Sequence, residues 1–272
     1  MRYLLFIIAS LLGFNAQAKN AQKIIALSPH AVEMLYAIGA GDRIVATTES
    51  SDYPEAALKI PRIGNYTGVQ IERIVELQPD LIVAWKGGNK LTDLNKLESL
   101  GLPVVYSDPK TIKNISEDIE KLGELTGLKL NAHKISSDLL IRHQMIINQY
   151  KDKTKVNVFY QLWDDPLRTV GPNSWVSTLI NDCNGNNLFD DANAPYPLIS
   201  MESVLTRNPQ VIIVQHHRKE DDKQKQIWTS WPMIDAVKND RLMNINPDIL
   251  LRPTPRALDG LEELCEAIST AR

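Results

Sequence analysis

Short runs of aliphatic and β-branched residues alternate along the chain with stretches whose apolar positions recur three and four residues apart. Residues 23–27 (Lys-Ile-Ile-Ala-Leu) form the first such run and read as a strand. Ser28 and Pro29 follow, then Val32, Leu35, Tyr36 and Ile38 at helical spacing, with Gly39 or Gly41 as the stop. A serine oxygen can accept from the free N–H groups of a first turn, proline has its φ preset for the first helical position, and glycine tolerates the left-handed exit. The next strands are predicted at 43–47, 81–84 and 104–106, the last two each preceded by an amphipathic helical stretch, 71–77 and 91–100. Strand alternating with helix at this pace predicts βα units, hence a mostly parallel sheet with helices on its faces.

The pattern changes between 112 and 150, where only helical spacing is found. Within 131–150, Ala132, Ile135, Leu139, Ile146 and Tyr150 mark one face, and the stretch holds neither glycine nor proline. About 20 residues of helix span about 30 Å, the width of a small domain. After 151–155 the βα rhythm resumes, with strands expected at 156–162, 211–214 and 242–245 and helices near 175–180, 204–205 and 255–270. The expected fold class is therefore α/β with two lobes joined by one long helix. Residues 19–128 form the first lobe, 129–152 the linking helix and 153–272 the second lobe.

An internal repeat supports that division. Residues 66–85 read YTGVQIERIVELQPDLIVAW and residues 196–215 read YPLISMESVLTRNPQVIIVQ. Without a gap, Tyr66 falls on Tyr196, Glu72 on Glu202, Pro79 on Pro209, and Leu81-Ile82-Val83 on Val211-Ile212-Ile213. A helix that stops before a proline and leads into a buried strand is common in α/β chains. The shared aromatic and the shared glutamate are not demanded by that phrase, and a cleft between related lobes is a preferred ligand site.

The amino terminus places the chain in a compartment. Arg2 precedes an apolar run at 4–14, followed by Ala16-Gln17-Ala18, the small-x-small form of a signal-peptidase site. The run is too short to cross a hydrocarbon layer of about 30 Å, so residues 1–18 are expected to be a cleaved secretory signal, with no stable membrane insertion. In an oxidising space the two cysteines, Cys183 and Cys265, read as a pair, two separate buried thiols being the alternative. Hydrophobic residues make up 43% and charged residues 23%, which excludes a disordered chain. The net charge of -3 provides no positive field for nucleic acid.

Catalytic fingerprints are missing: G-x-S-x-G, H-E-x-x-H, the P-loop and G-x-G-x-x-G do not occur. His216 and His217 follow a strand and, being adjacent, would point to opposite faces, so they read as loop rather than metal ligands. His30, His133 and His143 are isolated. The expectation is a binding protein with no catalytic residues, no metal and no intrinsic cofactor. Tyr66, Trp85, Trp163, Trp175 and Tyr196 stand at or near the ends of elements, where flat side chains can meet a large, partly apolar ligand. Glu72 and Glu202 open predicted helices, where the helix dipole favours an acid; one exposed acid on each lobe also suits docking on a two-fold partner. Asp248 and Arg252 lie in a proline-bounded loop, as a surface pair or as the polar lining of the cleft.

The secretory signal, Ile24-Ile25-Ala26-Leu27-Ser28-Pro29, Ser51-Asp52-Tyr53-Pro54, the 71–82 segment and Ala84-Trp85-Lys86-Gly87-Gly88-Asn89 together resemble the periplasmic cobalamin-binding proteins of bacterial ABC importers. These belong to the helical-linker class of periplasmic binding proteins, which also takes haem and siderophores. The resemblance implies a periplasmic monomer that carries cobalamin as its transported ligand to a homodimeric permease with separate ATPase subunits. It places Tyr66, Trp85 and Tyr196 against the corrin ring, with Ser50, Asp248 and Arg252 among the cleft residues. It gives Glu72 and Glu202 to permease docking, and Cys183 with Cys265 to a disulfide. The chain departs from the family's best-known member, which has tryptophan at the places of Tyr66 and Tyr196, tyrosine at Ser50 and phenylalanine at Arg168. A haem or ferric-siderophore binder of the same fold is the alternative, and a secreted hydrolase a remote one.

Overall fold

The computed structural model describes residues 20–215 and 223–272, so the expected signal segment and the His216-His217 pair lie outside the described residues. The first lobe runs through β1 (Ile24–Ala26), α1 (Pro29–Ile38), β2 (Ile44–Thr47), a short antiparallel pair β3 (Gly64–Asn65) and β4 (Gly68–Val69), α2 (Ile71–Leu77), β5 (Leu81–Trp85), α3 (Leu91–Ser99), β6 (Val104–Ser107) and α4 (Ile112–Thr126). One helix, α5 (Lys129–Tyr150), leads out of it. The second lobe contains β7 (Val156–Trp163), β8 (Arg168–Thr169), α6 (Trp175–Asp182), β9 (Gly185–Asn187), α7 (Met201–Arg207), β10 (Val211–Gln215), α8 (Lys223–Thr229), α9 (Asp235–Lys238), β11 (Leu242–Ile245), α10 (Pro247–Leu250) and α11 (Ala257–Ser269).

The first sheet has the order β2-β1-β5-β6, with every pair parallel. In the second, β11, β10 and β7 are parallel, β9 runs parallel to the start of β7, and β8 returns antiparallel along its end. Both faces of each sheet are covered, which is why the strands read as unbroken apolar runs. Side chains alternate between faces. Ile24, Ala26, Leu81 and Val83 join α1, α4 and α5 in one core, while Ile25, Ile82 and Ala84 pack beneath α2 and α3 in another. The second sheet repeats the arrangement: Val211 and Ile213 face α6 and α11, whereas Ile212 and Val214 meet Phe159, Val204 and Trp228.

The helix signals act as their chemistry dictates. Ser28 Oγ accepts from Ala31 N, Pro29 occupies the first position, and Gly39 leaves α1 with φ 91°. Ser174 and Ser200 cap α6 and α7 in the same way, and Thr111 caps α4. The sequence repeat is realised residue for residue. Helices 71–77 and 201–207 each end on a left-handed residue, Gln78 and Asn208, and strands 81–85 and 211–215 follow.

Helix α5 is bound at both ends. Asn131 Nδ2 donates to the Ile38 carbonyl at 3.2 Å, and Ser116 and Ser136 hydroxyls join α4 to α5 at 2.6 Å. On the second lobe, Arg142 meets Asp259 and Glu262 of α11, both at 2.7 Å, and His143 meets Asp182 of α6 at 2.8 Å. Cys183, at the end of α6, is disulfide-bonded to Cys265 in α11.

Candidate functional site

Parallel strands bring their carboxyl ends to one edge of a sheet, and ligands of open α/β sheets gather there. In the first lobe that edge carries a concavity of about 230 Å³ lined by Leu27 after β1, Ser50 after β2, Asn65 and Tyr66 of the β3–β4 turn, and Trp85 and Asn89 after β5. Tyr66 is 83% exposed. Ser50 takes a positive φ of 65° in the turn that leads to Asp52.

Trp85 is fixed by its surroundings. Its indole Nε1 donates to Asp108 Oδ1 at 2.9 Å, and Lys110 holds the same oxygen at 2.9 Å. The buried His30 ring meets Trp85 edge-on, with centroids 5.4 Å apart. His30 Nε2 lies 3.1 Å from Ser107 Oγ, which donates to Asp118 at 2.6 Å. Burial lowers the His30 pKa to about 4, against the opposing pull of the Asp108 charge. Below the ring, Asn89 accepts from Trp85 N at 2.7 Å and donates to the Leu27 carbonyl at 2.8 Å, which closes the Lys86-Gly87-Gly88 turn. A Cβ on Gly88 would lie 2.0 Å from Trp85 Cε3, so only glycine leaves room for the indole there.

The two carboxyl edges meet at a cluster of charges. Arg252 of the second lobe donates through Nη1 to Asp52 at 2.5 Å and Glu33 at 3.3 Å, and through Nη2 to Asp248 at 3.2 Å. Arg256 engages Glu33 with two bonds, 2.9 and 2.7 Å, and Thr254 Oγ1 with another at 3.1 Å. The Arg256 guanidinium lies 3.5 Å from the Tyr53 ring centroid. The Arg252 hydrogen bond holds the Asp52 carboxyl below its ordinary range. Glu33 sits on α1 with 3% of its side chain exposed, a buried carboxylate in the first lobe satisfied wholly by residues of the second.

The expected site residues are therefore distributed over distinct places. Ser50, Tyr66 and Trp85 share the concavity, and Asp248 and Arg252 belong to the interlobe cluster. Asp248 is not in a loop as expected: Pro247 starts the short helix α10, so Asp248 and Arg252 stand one helical turn apart. Tyr196 is 46% exposed ahead of α7, and its carbonyl accepts from Arg168 at 3.2 Å. Glu72 and Glu202 are exposed second residues of α2 and α7; the Glu202 carboxyl is held below its ordinary range by its own backbone N–H and by Ser200.

Trp175 corrects an expectation. Its ring is buried and its Nε1 donates to the Leu250 carbonyl at 2.7 Å, because the first turn of α6 packs on α10 rather than opening on a loop mouth. Trp163 remains exposed at the end of β7. The residues that sequence reasoning missed are Glu33, Asp52, Arg256 and Asp108. Glu33 had a visible signal, a carboxylate amid the apolar Ala31-Val32-Met34-Leu35 stretch, and Asp52 stood in the Ser51-Asp52-Tyr53-Pro54 turn.

Among the described residues no group of three or more His, Cys, Asp or Glu side chains is arranged to hold a metal ion, and no helix is long and apolar enough to cross a membrane. What the site offers is aromatic surface, neutral hydrogen-bonding groups and paired charges. The family model described as periplasmic binding protein matches residues 24–249. The chain is 38% identical over 253 residues to the vitamin B12-binding protein of Vibrio campbellii, covering 93% of this chain and 91% of the relative. The crystal structure of the periplasmic vitamin B12 binding protein BtuF of Vibrio cholerae superposes with a TM-score of 0.86 at 39% identity, over 92% of this chain and 98% of that one. The periplasmic heme-binding protein RhuT from Roseiflexus shares the fold, with a TM-score of 0.80 at 20% identity over 93% of this chain and 99% of that one. With these likenesses spanning both lobes, the chain belongs to the periplasmic binding protein family.

Proposed function

We propose that this protein is the periplasmic substrate-binding component of an ABC importer, holding cobalamin between its lobes and handing it to a membrane permease. The observation that carries the reading is the pairing of a fixed Trp85 with an open Tyr66 around one concavity, in a chain akin to vitamin B12-binding proteins over more than nine tenths of its length. A broad, flat ligand with an apolar ring and polar rim gains most from rigid aromatic faces flanked by hydrogen-bonding groups. In this reading Tyr66 and Trp85 take one side of the corrin, Tyr196 the other, and Ser50, Asp248 and Arg252 the peripheral groups.

The protein captures its ligand and does no chemistry on it. Residues 1–18 direct export, and the mature monomer consists of lobes 19–128 and 153–272 about the linking helix 129–152. Calorimetry with cyanocobalamin, haemin and a ferric hydroxamate tests the assignment. Saturable binding of cyanocobalamin in preference to both others is expected, and no heat with cyanocobalamin overturns it. Tight haemin binding instead, with a tyrosinate-to-iron absorption band, would favour Tyr66 or Tyr196 as an iron ligand.

Docking rests on Glu72 and Glu202, which the repeat places at equivalent, exposed positions on the two lobes. Paired acids of this kind suit a homodimeric permease bearing basic groups, its ATPase subunits being separate chains. The double variant Glu72→Arg/Glu202→Arg is expected to retain ligand affinity and lose stimulation of the transporter's ATPase. Undiminished stimulation refutes the docking role.

A further inference from the structure

Arg252 does not meet the cleft as an open cation. Its guanidinium faces Asp52, Glu33 and Asp248, while Arg256 is spent on Glu33. Three carboxylates against two guanidiniums leave the cluster with a net charge of −1. Its open members are two of the three acids: the side chains of Asp52 and Asp248 are 51% and 53% exposed, against 25% for Arg256, 14% for Arg252 and 3% for Glu33. An incoming ligand therefore meets carboxylate oxygens first and the guanidinium behind them. In the first lobe Glu49 lines the concavity, and in the second the cation on β8, Arg168, is turned to the Tyr196 carbonyl.

The fork of an arginine is the usual receptor for a carboxylate or phosphate, because its parallel N–H donors match two oxygens. Here that fork is already occupied from the opposite lobe. An anionic group would have to displace Asp52 and then sit beside Asp248. A neutral amide brings N–H donors that the exposed carboxylates can accept, at no cost in like-charge repulsion.

We propose that Asp52 is a specificity-determining residue: by reaching across to cap Arg252 it sets the cleft against anionic ligands and in favour of ligands rimmed with uncharged amides. The assignment rests on the reading above that Arg252 lies at the ligand. Asp52 acts through Arg252 and is in that sense a positioning residue.

Titrations of the full mature protein, as wild type, Asp52→Asn and Asp52→Glu, test this with three probes. These are cyanocobalamin, its monocarboxylate made by hydrolysing one peripheral amide, and haemin with its two propionates. The wild type is expected to prefer cyanocobalamin over the monocarboxylate. Asp52→Asn should shrink that preference about three- to tenfold and tighten haemin by a similar factor, the scale of one partly exposed charge interaction. Asp52→Glu, which keeps the charge, should restore the wild-type ratio. A uniform loss for all three probes makes Asp52 a strut between the lobes and overturns the proposal, as does an unchanged ratio in Asp52→Asn. Should cyanocobalamin fail to bind the wild type while Asp52→Asn still tightens haemin, the cobalamin assignment falls and the charge filter stands. Binding of no probe to any variant overturns both.

Discussion

The histidine behind Trp85 shows how a residue that looks idle in the sequence gains a function in the fold. His30 occupies the second position of α1, buried against the indole and linked through Ser107 to Asp118. Loss of hydration is the dominant cause of its lowered pKa, about 4 against 6.5 in an unfolded chain. Between those values the unfolded state binds more protons than the folded one, so stability falls as the pH drops from 6.5 to 4. Above 6.5 the imidazole is neutral in both states and this effect vanishes. The expected loss is about 3 kcal/mol across the window. Urea unfolding at stepped pH should show the slope in the wild type and lose it in His30→Gln; equal slopes would show that His30 is not the titrating group. Nothing along the chain foretells this arrangement, because the partners at 85, 107, 108 and 118 come from different elements.

At the level of elements, much was legible because the governing chemistry is local. Ser28, Pro29 and Gly39 mark the bounds of α1 by hydrogen bonding and backbone geometry alone. The 66–85 and 196–215 repeat foretold two helix-to-strand units, which the fold contains with matching left-handed exits. Short pieces such as β3, β4, β8 and α10 escaped detection, since two to four residues carry no readable period and depend on their neighbours for existence. The packing of α4 on α5 was equally hidden. A Cβ on Gly123 would stand 2.2 Å from that of Ala132, so the Ala132 methyl of α5 packs on the bare backbone of α4 at that point. Gly123→Ala raises helix propensity yet overpacks this contact, and a net destabilisation of about 1–3 kcal/mol is expected. A higher urea midpoint for the variant would contradict the close approach.

Across the whole molecule, the lobes are joined by more than α5. Glu33 of the first lobe is satisfied by Arg252, Thr254 and Arg256 of the second, so the interlobe seam contains a buried ion pair. Taking one partner from such a pair leaves buried charge uncompensated, which typically costs about 3–5 kcal/mol. Glu33→Gln should accordingly lower the melting temperature, and small-angle scattering should report a larger radius of gyration as the lobes part. An unaltered radius together with unaltered melting would show that the seam does not hold them. Under Asp52→Asn the buried pair remains, which separates the proposed ligand filter from the strut.

The sequence by itself determined the α/β class, the two lobes with their long connecting helix, and the aromatic and acidic residues that the repeat sets in register. Those features follow from periodicity, capping and chain order, all of which are properties of neighbours in sequence. Only the tertiary structure decided which charges face one another. Glu33, Asp52 and the 248–256 stretch that carries Asp248, Arg252 and Arg256 are three separate segments, and they meet because two mostly parallel sheets bring their carboxyl edges together. The same juxtaposition separates Trp85, which lines the first-lobe concavity, from Trp175, which packs the core, although both stand at the ends of elements. Burial and partnership depend on segments remote in the chain, and no local pattern encodes them.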